Sequence, residues 1–170
     1  ALLALANPNK AEFLAGFFKT GKGQYAEGDR FLGITVPAIR QLSRQFQQLA
    51  LTDCERLLQS AYNDDRLLAL LILIEQYRKG DVSVKNKVYQ IYLNNRHRVN
   101  NWNLVDGSAS YIVGAHLLQR DRSLLYELAQ SRSLWDRRIA ILATLTFIRA
   151  DDFTDALKLT EQLLGDEHDL

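Results

Sequence analysis

Apolar residues recur along most of this chain at the three- and four-residue spacing of amphipathic helices. Phe13, Phe17 and Phe18 fall on one broad face of a segment from about residue 9 to 20. Pro37 suits the first turn of a helix running to about Ala50. Thr52-Asp-Cys-Glu55 has the spacing of a capping box and predicts a short helix carrying Leu57 and Leu58. The longest apolar run, Leu67 to Ile74, lies in a predicted helix over 64–79, capped by Asn63 or Asp64 and ended at Lys79-Gly80. Ser83 can cap a helix over 84–94. Further helices are predicted over 101–119, 122–131, 134–149 and 154–164. Thr20–Asp29 is the glycine-rich stretch and reads as a loop. No alternating run is long enough to predict a strand.

The predicted helices come in pairs, with an internal echo. Gln59-Ser60, Asp65-Arg66 and Ala69-Leu70 recur as Gln130-Ser131, Asp136-Arg137 and Ala140-Ile141, an offset of 71 residues (130 − 59). Half of that lies near the length of a helical-repeat unit. The expected fold is therefore all-α: a right-handed α-solenoid of HEAT-like helix pairs, one domain over residues 1–170. Composition agrees, with 30 Leu against 7 Val and only 2 Pro.

Composition also removes alternatives. A 47% hydrophobic, 24% charged chain is neither disordered nor collagenous. The single cysteine, Cys54, permits no internal disulfide and too few thiolates for a structural zinc site. His97, His116 and His168 lack metal-ligand spacing, so neither metal nor cofactor is expected. Ala1–Ala6 is too short for a signal core or membrane span, and a cytoplasmic location follows by elimination. The absent initiator Met suggests an incompletely represented chain. The net charge of +1 hides an asymmetry: residues 1–138 hold 19 basic and 13 acidic residues (net +6), residues 139–170 hold 2 and 7 (net −5). A basic body suits a phosphate backbone, although a solvated surface is the commoner use of such a surplus.

Two segments could carry chemistry. In Asn100-Asn-Trp-Asn-Leu-Val-Asp-Gly-Ser, Trp102 and Asp106 are four apart and share a helix face. An indole beside a carboxylate suits a cationic ligand. Alternatively, Trp102 packs a helix interface and Asp106 caps the turn at Gly107. In Ser133-Leu-Trp-Asp-Arg-Arg-Ile, Trp135 precedes Arg137 and Arg138 near a helix start, and arginine contacts phosphate bidentately. The alternative is an Asp/Arg ladder between repeats, better suited to Asp136-Arg137 than to Arg138. Tyr25, Arg30, Arg96, His97 and Arg98 are candidate backbone contacts, although surface residues of this kind usually do nothing specific. Gly21-x-Gly23-x-x-Ala26 matches a dinucleotide-binding pattern by letters, but follows a helix rather than a strand and is set aside.

Together these residues resemble the DNA alkylation repair family of AlkD-like glycosylases, built from HEAT-like repeats. The resemblance rests on Phe31-Leu-Gly-Ile34 with Pro37 and Arg40, on Trp102-x-Leu-Val-Asp106 with Ser108-Ala109, and on Trp135-x-Arg-Arg-Ile-Ala-Ile141, in the family's order. It implies hydrolysis of the N-glycosidic bond of a cationic alkylated purine, such as 3-methyladenine or 7-methylguanine, in double-stranded DNA. It implies Asp106 as the carboxylate near C1′, Trp102 against the sugar and Arg138 on a phosphate, with no small-molecule cofactor and a monomeric protein. Phe17 stands where some members carry Tyr, while the loop Thr20–Asp29 carries Tyr25. The family's next repeat carries a further aromatic in a Gly-Trp-x-x-Arg-Glu-like motif, which is not reached by Leu170; the chain is expected to be truncated there. Some members bind DNA without glycosylase activity, so a non-catalytic DNA-structure binder is the first alternative and a protein-binding scaffold the second.

Overall fold

Leu67, Leu68, Ala69, Leu70, Ile72 and Leu73 are all buried in one helix, Asn63–Lys79, around which the molecule is assembled. In the computed structural model, which describes residues 1–170, this is α4. It follows α1 (Pro8–Phe17), α2 (Val36–Gln45) and α3 (Leu51–Leu58), and precedes α5 (Val82–Asn94) and α6 (Trp102–Asp106). A π-helical turn, Ser110–Gly114, leads into α7 (Ala115–Leu117). Then come α8 (Ser123–Ala129), α9 (Leu134–Ala143), α10 (Leu145–Ile148) and α11 (Thr154–Leu163). The β-type pairing present is an isolated bridge, Arg30 to Tyr62, so the fold is all-helical as predicted.

The helices pack against one another around one apolar cluster that runs from Leu2 to Leu159. α4 contacts α2, α3, α5 and α6; α9 contacts α6, α8, the π turn, α10 and α11. α1 is mounted by backbone rather than by a buried face of its own. Leu32 O accepts the Asn7 N–H at 2.8 Å. Gly33 has φ +80, and a Cβ there would lie 2.2 Å from Asn7 O and 2.6 Å from Ala11 N. Only glycine lets α1 approach the 29–34 strap this closely. The strap is stitched to α4 in turn, since the Asp64 carboxylate accepts the Leu32 and Ile34 N–H groups at 2.7 and 3.0 Å.

The 71-residue echo is a repeated hydrogen-bond motif. Ser60 Oγ donates to Asp65 at 2.5 Å and accepts the Tyr62 N–H at 3.1 Å. Ser131 Oγ donates to Asp136 at 2.9 Å and accepts the Ser133 N–H at 3.1 Å. Arg66 Nη1 donates to Ser60 O at 2.8 Å, and Arg137 Nη1 to Ser131 O at 3.1 Å. The same Ser/Asp/Arg set thus shapes the loop that enters α4 and the loop that enters α9.

Several predicted boundaries are corrected. Thr52 does not cap α3, which starts at Leu51 behind Ala50. Asn63 and Asp64 lie inside the first turn of α4, after Tyr62, and turn their side chains to other elements. Asp81, not Ser83, caps α5, accepting the Val84 N–H at 2.9 Å. The single helix expected over 101–119 is broken after Asp106. Ser108 Oγ donates back to Leu104 O at 2.6 Å while facing the Tyr92 hydroxyl at 3.2 Å. This side-chain competition for a helix carbonyl accompanies a tightened turn, and the π turn follows. Gly114 then lets the π turn lie against α9, where a Cβ would meet Ala143 O at 2.2 Å. The helix expected over 134–149 is also interrupted, at Thr144, whose hydroxyl donates to Ile141 O at 2.6 Å.

Candidate functional site

The N-terminal ends of α4, α6 and α9 sit side by side, and the sequence-predicted residues gather there. Asn63 of α4 reaches Asn103 of α6 at 2.8 Å, and Asp106 of α6 reaches Arg138 of α9 at 2.7 Å. α6 is one short turn and a half. Its start is held by Asn101, whose carbonyl accepts the Leu104 and Val105 N–H groups at 3.1 Å each. Trp102 and Asp106 therefore share a face, as their spacing predicts.

Asp106 does not cap the Gly107 turn. Both of its oxygens accept from Arg138, Oδ1 from Nε and Oδ2 from Nη2, each at 2.7 Å. This bidentate fork is the strong form of the pair. The Arg138 side chain is 17% exposed and Asp106 35%, so the pair is open to solvent on one side. Arg138 Nη1 also donates to the Leu170 carbonyl. Trp102 is half-buried against α1: its ring lies 5.0 Å from Phe18 and 6.0 Å from Phe17. Phe18 stacks in turn on Phe31 at 4.9 Å. An apolar hollow of about 460 Å³ opens beside Trp102, between Phe13, Phe17, Ile39 and Leu67.

Trp135 is buried in the first turn of α9 and meets the edge of Tyr25, from the glycine-rich loop, at 5.9 Å. That loop thus spans from α1 to α9. Its Tyr25 also lies 6.3 Å from His168.

The remaining predicted arginines are drawn into intramolecular contacts. Arg137 forks onto Asp166 at 2.5 and 2.9 Å, which holds the Asp166 carboxyl below its usual range. Arg96 pairs with Asp136 at 3.3 Å, so Asp136 and Arg137 do form a ladder between neighbouring elements. Arg98 donates to the carbonyls of Leu58, Gln59 and Ser60 at the end of α3. Arg30 lies over the Tyr62 ring at 5.5 Å.

A second basic feature lies away from these. A groove of about 560 Å³ is lined by Arg40 and Arg44 of α2, Arg78 and Lys79 of α4, and Gly107 and Tyr111 beyond Asp106. Arg149 lies over the Tyr111 ring at 5.7 Å. Glu75 pairs with Arg78 at 2.7 Å and Lys79 at 3.6 Å; Arg40 and Arg44 are exposed and have no ion-pair partner. The i,i+4 spacing of Arg40 and Arg44 was the available signal in the sequence. No group of three His, Cys, Asp or Glu side chains is placed to hold a metal ion, and no helix is long and apolar enough to cross a membrane.

A family model described as DNA alkylation repair enzyme matches residues 1–170, the whole chain. No curated protein matches it in sequence.

Proposed function

Because this chain belongs to the DNA alkylation repair enzyme family, we propose that it is a glycosylase that removes cationic alkylated purines, such as 3-methyladenine and 7-methylguanine, from double-stranded DNA. The observation that carries the reading is the bidentate Asp106–Arg138 pair on the Trp102 face of α6. In this reading the paired helices form a right-handed HEAT-like α-solenoid over 1–170, acting as a monomer.

The substrate needs little acid catalysis. An N3- or N7-alkylated purine already carries positive charge and leaves as a neutral base. As the C1′–N bond lengthens, positive charge moves onto the sugar, and a fixed carboxylate near C1′ stabilises it. Asp106 supplies that carboxylate. Water adds its oxygen to C1′ and gives up a proton, leaving free base and an abasic sugar. Trp102 lies against the sugar. Arg138 exchanges its carboxylate partner for a DNA phosphate, a contact to which its planar fork is suited. Arg40, Arg44, Arg78 and Arg149 line the path of the DNA backbone on one side of Asp106; Tyr25, Arg30, Arg96, Arg98, Trp135 and Arg137 are the candidates on the other.

The test is release of methylated bases from alkylated duplex DNA under single turnover. Asp106→Asn and Asp106→Ala should slow release by roughly 10²–10³, the loss typical of one electrostatic contact to a transition state, while DNA affinity is retained. Release by Asp106→Ala at the wild-type rate removes Asp106 from the chemistry. DNA binding by the wild type without any release favours a non-catalytic DNA-structure-binding protein on the same scaffold.

A further inference from the structure

Trp102 stands between two asparagines that are both held from behind. Asn101 is fully buried, and its Nδ2 donates to Asp29 Oδ2 at 3.1 Å. Asn103 exchanges a pair of bonds with Asn63: its Nδ2 donates to Asn63 Oδ1 at 2.8 Å, and Asn63 Nδ2 donates back to Asn103 Oδ1 at 3.3 Å. Asn63 Nδ2 also donates to Asp29 Oδ2 at 3.0 Å. Asp29 is anchored in turn by a buried ion pair with Arg66.

One carboxylate therefore sets the place of the residues before and after Trp102. The network draws on three separate pieces of chain: the end of the glycine-rich loop, the first turn of α4 and the start of α6. None of its members touches the Asp106–Arg138 pair. The aromatic contacts from Phe17 and Phe18 act on the Trp102 ring, at 6.0 and 5.0 Å, and not on the backbone that carries it. A reciprocal amide pair and two bonds to one carboxylate are directional and fix the backbone on either side of Trp102. α6 is too short to be held by its own hydrogen bonds.

We propose that Asn63 and Asn103, braced by Asp29, are positioning residues that set the direction of Trp102 and, through α6, of Asp106. The proposal rests on Trp102 and Asp106 meeting the damaged nucleotide. Misplacing a reacting group by about 1 Å can cost on the order of a hundredfold in rate.

The test is Asn103→Ala in the full chain. Asn103 is half-buried, so its truncation leaves the apolar core intact. Three measurements are made: single-turnover base release, DNA affinity, and the two indole N–H resonances, assigned with Trp135→Phe. We expect release slowed by roughly 10- to 100-fold without a matching loss of affinity. The Trp102 resonance should shift or broaden while that of Trp135 holds its place. Asn103→Asp keeps the acceptor for Asn63 Nδ2 and should recover part of the rate. Release at the wild-type rate, a rate loss that only follows weakened binding, or a Trp102 resonance at its wild-type position overturns the proposal. If the wild type releases no base, the glycosylase reading fails separately, and the Trp102 resonance alone decides the network.

Discussion

Arg66 is the bulkiest side chain in the molecule with almost no exposure, 1%. Its charge is offset by Asp29, itself only 3% exposed at the side chain, and by a bond to Ser60 O. Burial pulls its pKa down while Asp29 pulls it back, and an arginine this basic stays charged. Removing one partner of such a pair strands the other charge, so Arg66→Met should lower stability by about 3–5 kcal/mol. Urea unfolding measures it; a loss under about 1 kcal/mol, the ceiling for an exposed pair, would place the pair in water. Little of this is legible in the sequence. In the sequence Asp65-Arg66 stands only as half of the 71-residue echo, and Asp29 only as the end of a glycine-rich loop. Trp102 and Asp106 are legible because four residues on one helix fix a shared face. The bond from Asp106 to Arg138 crosses 32 residues; spacing offers its two ends as separate candidates, and only the family resemblance joins them in one site.

At the scale of elements, long apolar periodicity is legible and helix ends are not. α4 needs no cap to be predicted, because its apolar run can only be buried. The predicted caps fail because Thr52, Asn63 and Ser83 have the right letters, while tertiary partners decide which neighbour takes the role. The break after Asp106 lies where Ser108 bonds backward to Leu104 O and faces the Tyr92 hydroxyl from α5, a partner that local sequence does not reveal. The segment beyond it carries a pH-dependent element. His116 of α7 stacks on the Tyr89 ring at 3.8 Å, with the Tyr77 hydroxyl 3.4 Å from Nδ1. Burial, and then the nearby Arg120 charge, lower its pKa. The folded chain thus holds His116 neutral where the unfolded chain, titrating near 6.5, takes up a proton. Its contribution is complete above about pH 6.5 and is lost as pH falls through the lower folded value. The thermal midpoint of the wild type should therefore fall between about pH 6.5 and 5 more steeply than that of His116→Gln. Parallel curves for the two proteins would show that His116 is not protected from protonation.

For the molecule as a whole, the structure changes what the charge asymmetry means. The acidic end is not a separate tail of charge. Asp152 and Asp155 bind Arg122 at 2.7 and 2.6 Å, and Asp166 binds Arg137, so acid from the end neutralises arginine of the body. Because Arg122 and Arg137 take their acidic partners from beyond residue 138, the +6 of residues 1–138 overstates the charge available to a polyanion. In the groove that reaches Gly107 and Tyr111, the exposed arginines without an ion-pair partner are the α2 pair, Arg40 and Arg44; Arg149 lies over the Tyr111 ring. This separates electrostatic attraction from chemistry by position. Removing one phosphate-binding cation should flatten the dependence of log affinity on log salt by about 0.9, so Arg40→Ala with Arg44→Ala should lower that slope by about 2. Base release from DNA-saturated protein should stay near the wild-type rate, because neither residue reaches Asp106. Lys87, on α5 and away from the groove, serves as the control, and Lys87→Ala should leave the slope unchanged. A slope that drops by the same amount per charge removed in both variants would mean that charge acts only through its sum. A slope untouched by the α2 pair would move the DNA path to the Tyr25 and Trp135 side of Asp106.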